Sequence, residues 1–165
     1  LPISKATASS SMALGQNSSA TEYLSMALGN FSSASANNAM AMGYLAKAKS
    51  GSSTAIGSRA ETNGLYSLAI GDRAYVGGVN SGDGSSADVS VPNERKNTVS
   101  EERMTNPLES DQYAFAMAMG TDAKAYGYQT TAIGGGAEAY DTNTLAVGFT
   151  ARAKGHFSSA IGSQA

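Results

Sequence analysis

The sequence predicts an all-β fold, a parallel β-solenoid made of coils of fourteen residues. The first observation behind this prediction is a motif of alanine, an aliphatic residue and glycine, which occurs nine times and recurs every fourteen residues within each of two runs. The second is composition, because only 7% of the 165 residues are aromatic and tryptophan is absent, so the chain lacks the bulk for a thick core. A unit this small cannot bury its own apolar face and must stack on its neighbours. We therefore expect the function to lie on an extended surface.

Each coil contains two short segments in which small and variable residues alternate. The first reads Ser or Thr, a variable residue, Ala, an aliphatic residue and Gly, as at residues 11–15, and so short an alternation ending in glycine predicts a strand. The second places two small residues around one polar residue, as at residues 46–48 and 123–125. The glycine after each first strand is expected to supply a positive φ angle at a tight corner, as are Gly64, Gly127 and Gly155.

Two strands and two corners per coil predict a flattened roll, in which each coil pairs with the next through parallel backbone hydrogen bonds. Residues fourteen apart would then be ladder neighbours. At that spacing Lys124, Glu138 and Arg152 alternate in charge, as do Lys47 and Glu61. A shift of one residue would bury these charges, so they support the register. At about 4.8 Å per strand, nine coils would form a rod roughly 40 Å long.

The first strand of each coil carries an alanine row and an aliphatic row on opposite faces. We prefer to place the aliphatic row inside, because large side chains against the small residues of the second strand would fill a thin layer. This row is Leu14, Leu28, Met42, Ile56, Ile70, Met119, Ile133, Val147 and Ile161. The contact stripe between subunits would then be Ala13, Ala27, Ala41, Ala55, Ala69, Ala118, Ala132, Ala146 and Ala160. The inverse assignment, alanines inside and aliphatic residues at the contact, stays open. Either one leaves an apolar stripe that predicts an oligomer.

A charged insertion interrupts the repeats. The interval from Gly71 to Gly120 is 49 residues, 35 more than one coil. We therefore assign the coils to residues 1–76 and 112–165 of one domain, and the insertion to residues 77–111. Its prolines argue for a loop or an edge strand. The insertion either contacts a partner or a neighbouring subunit, locking the oligomer, or is a solvated loop. Its candidate contact residues are Glu94, Arg95, Lys96 and Arg103.

Aromatic residues are expected near the coil corners. They are Tyr23, Tyr66, Tyr126, Tyr128, Tyr140, His156 and Phe157. One interpretation is a contact strip for an extended protein ligand, with Tyr126, Tyr128 and Tyr140 as the candidate residues. The other is that these rings cap the open ends of the thin core.

Catalysis and cofactor binding are not expected. Cysteine is absent and His156 is the only histidine, which excludes thiol chemistry and multi-histidine metal sites. His156 follows a glycine at a corner, where an exposed residue is expected. Asp72 and Asp122 also follow glycine corners, but one carboxylate per corner is weak support for calcium. The net charge of -2 argues against binding to nucleic acid or to an anionic membrane. We predict that the protein is not an enzyme and holds no metal or cofactor.

The repeat at residues 67–74 and 158–165 resembles the YadA-like head repeat of bacterial trimeric autotransporter adhesins, and the resemblance covers residues 11–71 and 116–165. It implies a left-handed parallel β-roll and a homotrimer, displayed on a stalk at the bacterial outer membrane. It also implies a role in virulence, through binding to host matrix proteins such as collagen, fibronectin or laminin, or to host cell receptors. We expect the sequence to be a fragment without the stalk and membrane anchor of such proteins, and without direct membrane contact.

The predicted function is therefore a surface adhesin head, which binds a fibrous host protein through many weak contacts repeated in three copies. The alternative is a structural spacer, part of a trimeric phage tail fibre or an adhesin stalk, with recognition carried elsewhere. An ice-binding solenoid is disfavoured, because the outward positions are Lys, Glu, Tyr and Arg instead of a flat threonine ladder.

Overall fold

The computed structural model describes residues 3–77 and 115–165. Every regular element in these residues is a β-strand. The two-residue strands are β1 (Lys5–Ala6), β3 (Ser19–Ala20), β5 (Ser33–Ala34), β7 (Lys47–Ala48), β9 (Glu61–Thr62), β11 (Tyr75–Val76), β13 (Lys124–Ala125), β15 (Glu138–Ala139) and β17 (Arg152–Ala153). The three-residue strands are β2 (Met12–Leu14), β4 (Met26–Leu28), β6 (Met40–Met42), β8 (Thr54–Ile56), β10 (Leu68–Ile70), β12 (Met117–Met119), β14 (Thr131–Ile133), β16 (Leu145–Val147) and β18 (Ser159–Ile161).

The strands form two nine-stranded parallel sheets, one from all the two-residue strands and one from all the three-residue strands. Within each sheet the neighbours lie fourteen residues apart, so that Ala41 is opposite Ala55. Across the insertion the ladder continues without a break, since Ala69 is opposite Ala118. Lys124 is opposite Glu138, as the charge alternation predicts. The predicted solenoid and its register are confirmed.

The interior of the roll is lined with alanine, so our preferred assignment of the two rows is wrong. The middle alanine of every three-residue strand points inward, and from Ala27 to Ala146 the exposed fraction of this row is 0%; only Ala13 and Ala160, in the end coils, are partly exposed. The alanine of each two-residue strand faces this row across the interior, although Thr62 and Val76 replace it in two coils. A coil of fourteen residues encloses too little space for two layers of larger side chains. The alanine stripe therefore cannot be a contact between subunits.

Buried serine and threonine side chains lie at the corners of the coils, along the two edges where the two sheets meet. Ser53 is fully buried, and its hydroxyl donates to the carbonyl of Ser50 at 2.6 Å. The same contact, to the carbonyl three residues earlier, is made by Ser11, Ser18, Ser25, Ser32, Thr130 and Thr144. The hydroxyls are thus satisfied locally, without a larger side chain.

The corners contain two kinds of residue with a positive φ angle: a glycine directly after each three-residue strand, and a second residue that usually carries a side chain. The glycine after each three-residue strand has a φ of 127° to 135°, and a Cβ on Gly57 would lie 2.3 Å from the carbonyl oxygen of Gly71. Only glycine fits this column. Gly64, Gly127 and Gly155 were expected to have positive φ, but the left-handed residue at their corners lies two positions later, at Tyr66, Gln129 and Phe157.

A bidentate ion pair joins the two coils on either side of the insertion. The Arg73 guanidinium donates from Nε to one oxygen of Asp122 at 2.8 Å and from Nη2 to the other at 2.9 Å. Most of the predicted insertion, with Glu94, Arg95, Lys96 and Arg103, lies outside the described residues. Nowhere in the described residues is there a helix long and apolar enough to cross a membrane.

Candidate functional site

One outer surface of the roll is apolar. The first and third residues of each three-residue strand point outward, because side chains alternate along a strand. We call these two columns the apolar face. The first column is Met12, Met26, Met40, Thr54, Leu68, Met117, Thr131, Leu145 and Ser159. The second is the aliphatic row from Leu14 to Ile161 that we had expected inside.

A side chain on the apolar face is covered from solvent only by its neighbours in the coils before and after it. Leu14 and Ile161 lie in the end coils and are 67% and 69% exposed, whereas Leu28 and Ile70, between two neighbours, are half-buried. All positions except Thr54, Thr131 and Ser159 are apolar. A continuous apolar strip of this kind on a single chain is typical of an interface.

The opposite outer surface is polar and carries most of the cations. It consists of the first residue of each two-residue strand and the residue that follows the strand, and we call it the charged face. Its cations are Lys5, Lys47, Lys49, Lys124, Arg152 and Lys154, and its carboxylates are Glu61 and Glu138. The face thus has a formal excess of four positive charges in a chain whose net charge is -2.

Each carboxylate of the charged face contacts two cations. The Glu61 carboxylate contacts Lys49 Nζ at 2.7 Å and Lys47 Nζ at 3.9 Å, and it also accepts from Asn63 Nδ2 at 3.1 Å. Since each cluster has two cations and one carboxylate, it keeps a net positive charge.

The second cluster lies three coils further along the rod, and its two cations stand in the coils before and after that of the carboxylate. The Glu138 carboxylate contacts Arg152 Nε at 2.9 Å and Lys124 Nζ at 3.7 Å. It also accepts a hydrogen bond from the Tyr140 hydroxyl at 2.5 Å. These contacts confirm that the alternating charges are ladder neighbours.

Three tyrosines cross the charged face beside the second cluster, and we call them the tyrosine ladder: Tyr75, Tyr126 and Tyr140. The ring centroids of Tyr126 and Tyr140 are 5.3 Å apart with planes inclined by 25°, and those of Tyr75 and Tyr126 are 6.1 Å apart. Tyr126 is only 7% exposed. Burial, with a smaller effect of the Glu138 carboxylate, raises the pKa of the Tyr126 phenol well above its usual range.

A second aromatic group lies at a corner. Tyr66 stacks on Phe115 at 5.3 Å between ring centroids, and Phe115 meets the Tyr128 ring edge-on at 6.2 Å. Tyr66 is 60% exposed and Phe157 77%, so these rings do not cap the interior. His156 is exposed at its corner, as expected, with Nδ1 3.1 Å from an Asp141 carboxylate oxygen.

The structure divides the predicted contact tyrosines between two places. Tyr126 and Tyr140 lie together in the tyrosine ladder, whereas Tyr128 belongs to the corner group. Tyr75 was missed by the sequence analysis, although counting 49 residues across the insertion makes it the ladder neighbour of Lys124.

Among the described residues no group of three or more possible metal ligands occurs. The arrangement is suited to binding through two long surfaces.

The family model described as "YadA head domain repeat (2 copies)" matches residues 6–23, 20–46, 48–74, 115–137 and 142–165, which together make up more than half of the chain. No curated protein sequence matches the chain significantly.

Proposed function

The chain belongs to the YadA head domain family, and on that premise we propose that it acts as a homotrimeric adhesin head that binds host extracellular-matrix or cell-surface proteins. Membership of the family indicates an adhesin-type autotransporter head at the cell surface. The proposal adds the trimer, anchoring at the bacterial outer membrane through a stalk, and collagen, fibronectin or laminin as the ligands to test. It assigns the protein a binding role and no catalytic one.

The apolar face is the observation that carries the proposed trimer. Its second column is aliphatic in all nine coils, and no other part of the described chain covers it. Leaving such a strip in water is costly, at about 25 cal/mol for each Å² of apolar surface. Three copies related by one axis along the rod would cover all three strips at once, since each coil would meet the same coil of its neighbours.

This packing would leave the three charged faces and the corners in contact with water. A ligand that follows the rod would meet the same types of side chain several times on each subunit. Weak contacts repeated in this way raise the overall affinity without a deep pocket.

The oligomer is tested by changing one outward residue. Ile70→Asp places a carboxylate in the middle of the apolar face and should convert the trimer to a folded monomer, because charge is excluded from an apolar contact. Ser33→Asp adds the same charge on the charged face and should remain trimeric. Sedimentation velocity gives the mass, and circular dichroism the fold. A wild-type chain that is monomeric at micromolar concentration would contradict the proposed trimer.

Ligand binding is tested separately on immobilised collagen, fibronectin and laminin. The wild-type trimer should bind at least one of them, and the Ile70→Asp monomer should bind it at least about tenfold more weakly, because it loses avidity. A trimer that binds no host protein or host cell would support the structural spacer instead.

A further inference from the structure

The two runs of coils meet at a contact that we call the seam. It joins residues 65–77, at the end of the first run, to residues 115–126, at the start of the second. Backbone hydrogen bonds cross the seam on both sheets; for example, Leu68 N donates to Ala116 O at 3.0 Å. The backbone pairing is therefore the same as between coils that are consecutive in the chain.

Side chains reinforce the seam at both of its corners. At one corner Arg73 and Asp122 form the bidentate ion pair described above. At the other corner Tyr66 stacks on Phe115, with 5.3 Å between the ring centroids. All four residues occupy the left-handed corner position of their coils, so each pair consists of consecutive members of one corner column.

These two corner pairs select one register for the second run. Backbone pairing alone would allow several, because every coil presents the same alanine and glycine columns. The residues that follow Asp122 in its column carry no charge: they are Gly136, Thr150 and Gln164. The next two that follow Phe115 in its column are not aromatic: they are Gln129 and Asn143. Only the first coil after the insertion offers both a carboxylate to Arg73 and a ring to Tyr66.

Separating the two runs would be unfavourable for the interior as well. Val76 is fully buried in the last coil of the first run, at a position that is alanine in most coils, and its ladder neighbour across the seam is Ala125. Pulling the runs apart would expose part of this side chain to water and would create two new sheet edges on each run. Both effects favour association of the runs.

We propose that the seam is a self-sufficient binding surface, which holds residues 115–165 on residues 3–77 even when the two are separate polypeptides. A protein at the cell surface would thereby keep a folded roll after one proteolytic cut within residues 78–114. This inference goes beyond the proposed function, since it concerns what joins the two runs and uses neither a host ligand nor the trimer.

Cleavage of the full chain tests the proposal. A recognition sequence for a site-specific protease, flanked by glycine and serine, is inserted between Gly84 and Ser85. A denaturing gel shows when the cut is complete. The two polypeptides should then stay in one particle on native mass spectrometry at micromolar concentration, with the circular dichroism of the uncut chain. If they separate or unfold at this concentration, the proposal is wrong.

Corner variants separate the contribution of the seam from that of a trimer, because the corners lie outside the apolar face. In the cut protein, Arg73→Gln with Tyr66→Ser should raise the dissociation constant of the second polypeptide at least about tenfold, since an ion pair and a ring contact are lost. The matched control, Arg59→Gln with Tyr44→Ser, removes the same groups within the first run and should change it less than about twofold.

Equal changes in the two double variants would overturn the proposal, because the seam would then contribute no more than any other corner. Both are checked for folding before cleavage by circular dichroism. If the uncut seam variant does not fold, Arg73→Gln alone is compared with Arg59→Gln, and the expected difference between their dissociation constants is about threefold.

The register is tested by disulfides in a chain that has no cysteine of its own. Tyr75→Cys with Lys124→Cys places two thiols opposite each other across the seam, so mild oxidation should link the cut polypeptides. Tyr75→Cys with Glu138→Cys places them two strands apart, about 10 Å, which is too far for a disulfide. Equal linkage of the two pairs would mean that the seam does not select one register.

Discussion

The charged face and the apolar face stand on the same backbone ladder but differ in what they require of their surroundings. Behind both faces lies the same interior of small residues, and both repeat with the same period. The charged face is stable in water, because its carboxylates are paired and its cations are solvated. The apolar face is stabilised only when another surface buries it, because exposing apolar area to water is unfavourable. Inward positions and glycine corners therefore build the fold, whereas outward columns are free to specialise for binding.

The largest expected effect tests which row is inside. Ala41→Leu inserts a large side chain into a fully buried position and should lower the free energy of unfolding by about 3 kcal/mol, because the interior cannot expand. Thr54→Leu is the matched control, since it points outward where Leu68 stands in the next coil, and it should cost less than about 0.5 kcal/mol. Urea unfolding at one protein concentration measures both. An Ala41→Leu protein as stable as wild type would mean that the alanine row is not the interior.

The next effect concerns alkaline pH and the charged face. The folded-state pKa of Tyr126 is raised above the unfolded value of about 10, so its contribution is complete below that pH and is lost as pH rises further. Between pH 10 and 11, Tyr126→Phe should lessen the fall in stability by up to about 1.4 kcal/mol per pH unit. Tyr66→Phe is the control, since that ring is 60% exposed. If both variants follow the wild-type slope, the burial of Tyr126 does not affect its ionisation.

The smallest effect should come from the ion pairs of the charged face. Glu138→Gln removes the carboxylate between Lys124 and Arg152 and should lower the free energy of unfolding by about 0.5 to 1 kcal/mol, because both cations can return to water. The difference from wild type should shrink in high salt. Glu22→Gln, an exposed residue, makes the same charge change and serves as the control. A loss as large as that of Ala41→Leu would show that the charged face also holds the fold together.

Much of the fold could be predicted because a stacked ladder imposes one period on every layer of the chain. The recurring glycine column and the alternation of Lys124 with Glu138 both report that period, and both were interpreted correctly. The left-handed corners at Tyr66 and Gln129 escaped prediction, since residues with ordinary side chains occupy them. The candidate site was predicted only in part. Tyr126 and Tyr140 were selected because they follow the second segment of a coil, near a predicted corner, whereas Tyr75 was hidden by the insertion before its ladder neighbour.

The sequence by itself determined the coil length, the strand positions and the register, because these depend on local alternation and on which residues recur at fourteen. It also determined that one apolar row would be left over. Only the tertiary structure decided which row that is. Alternation along a strand defines two faces without saying which is enclosed, and the choice depends on the distance between the two sheets. That distance is set when the whole coil closes, and it admits alanine and excludes leucine, isoleucine and methionine.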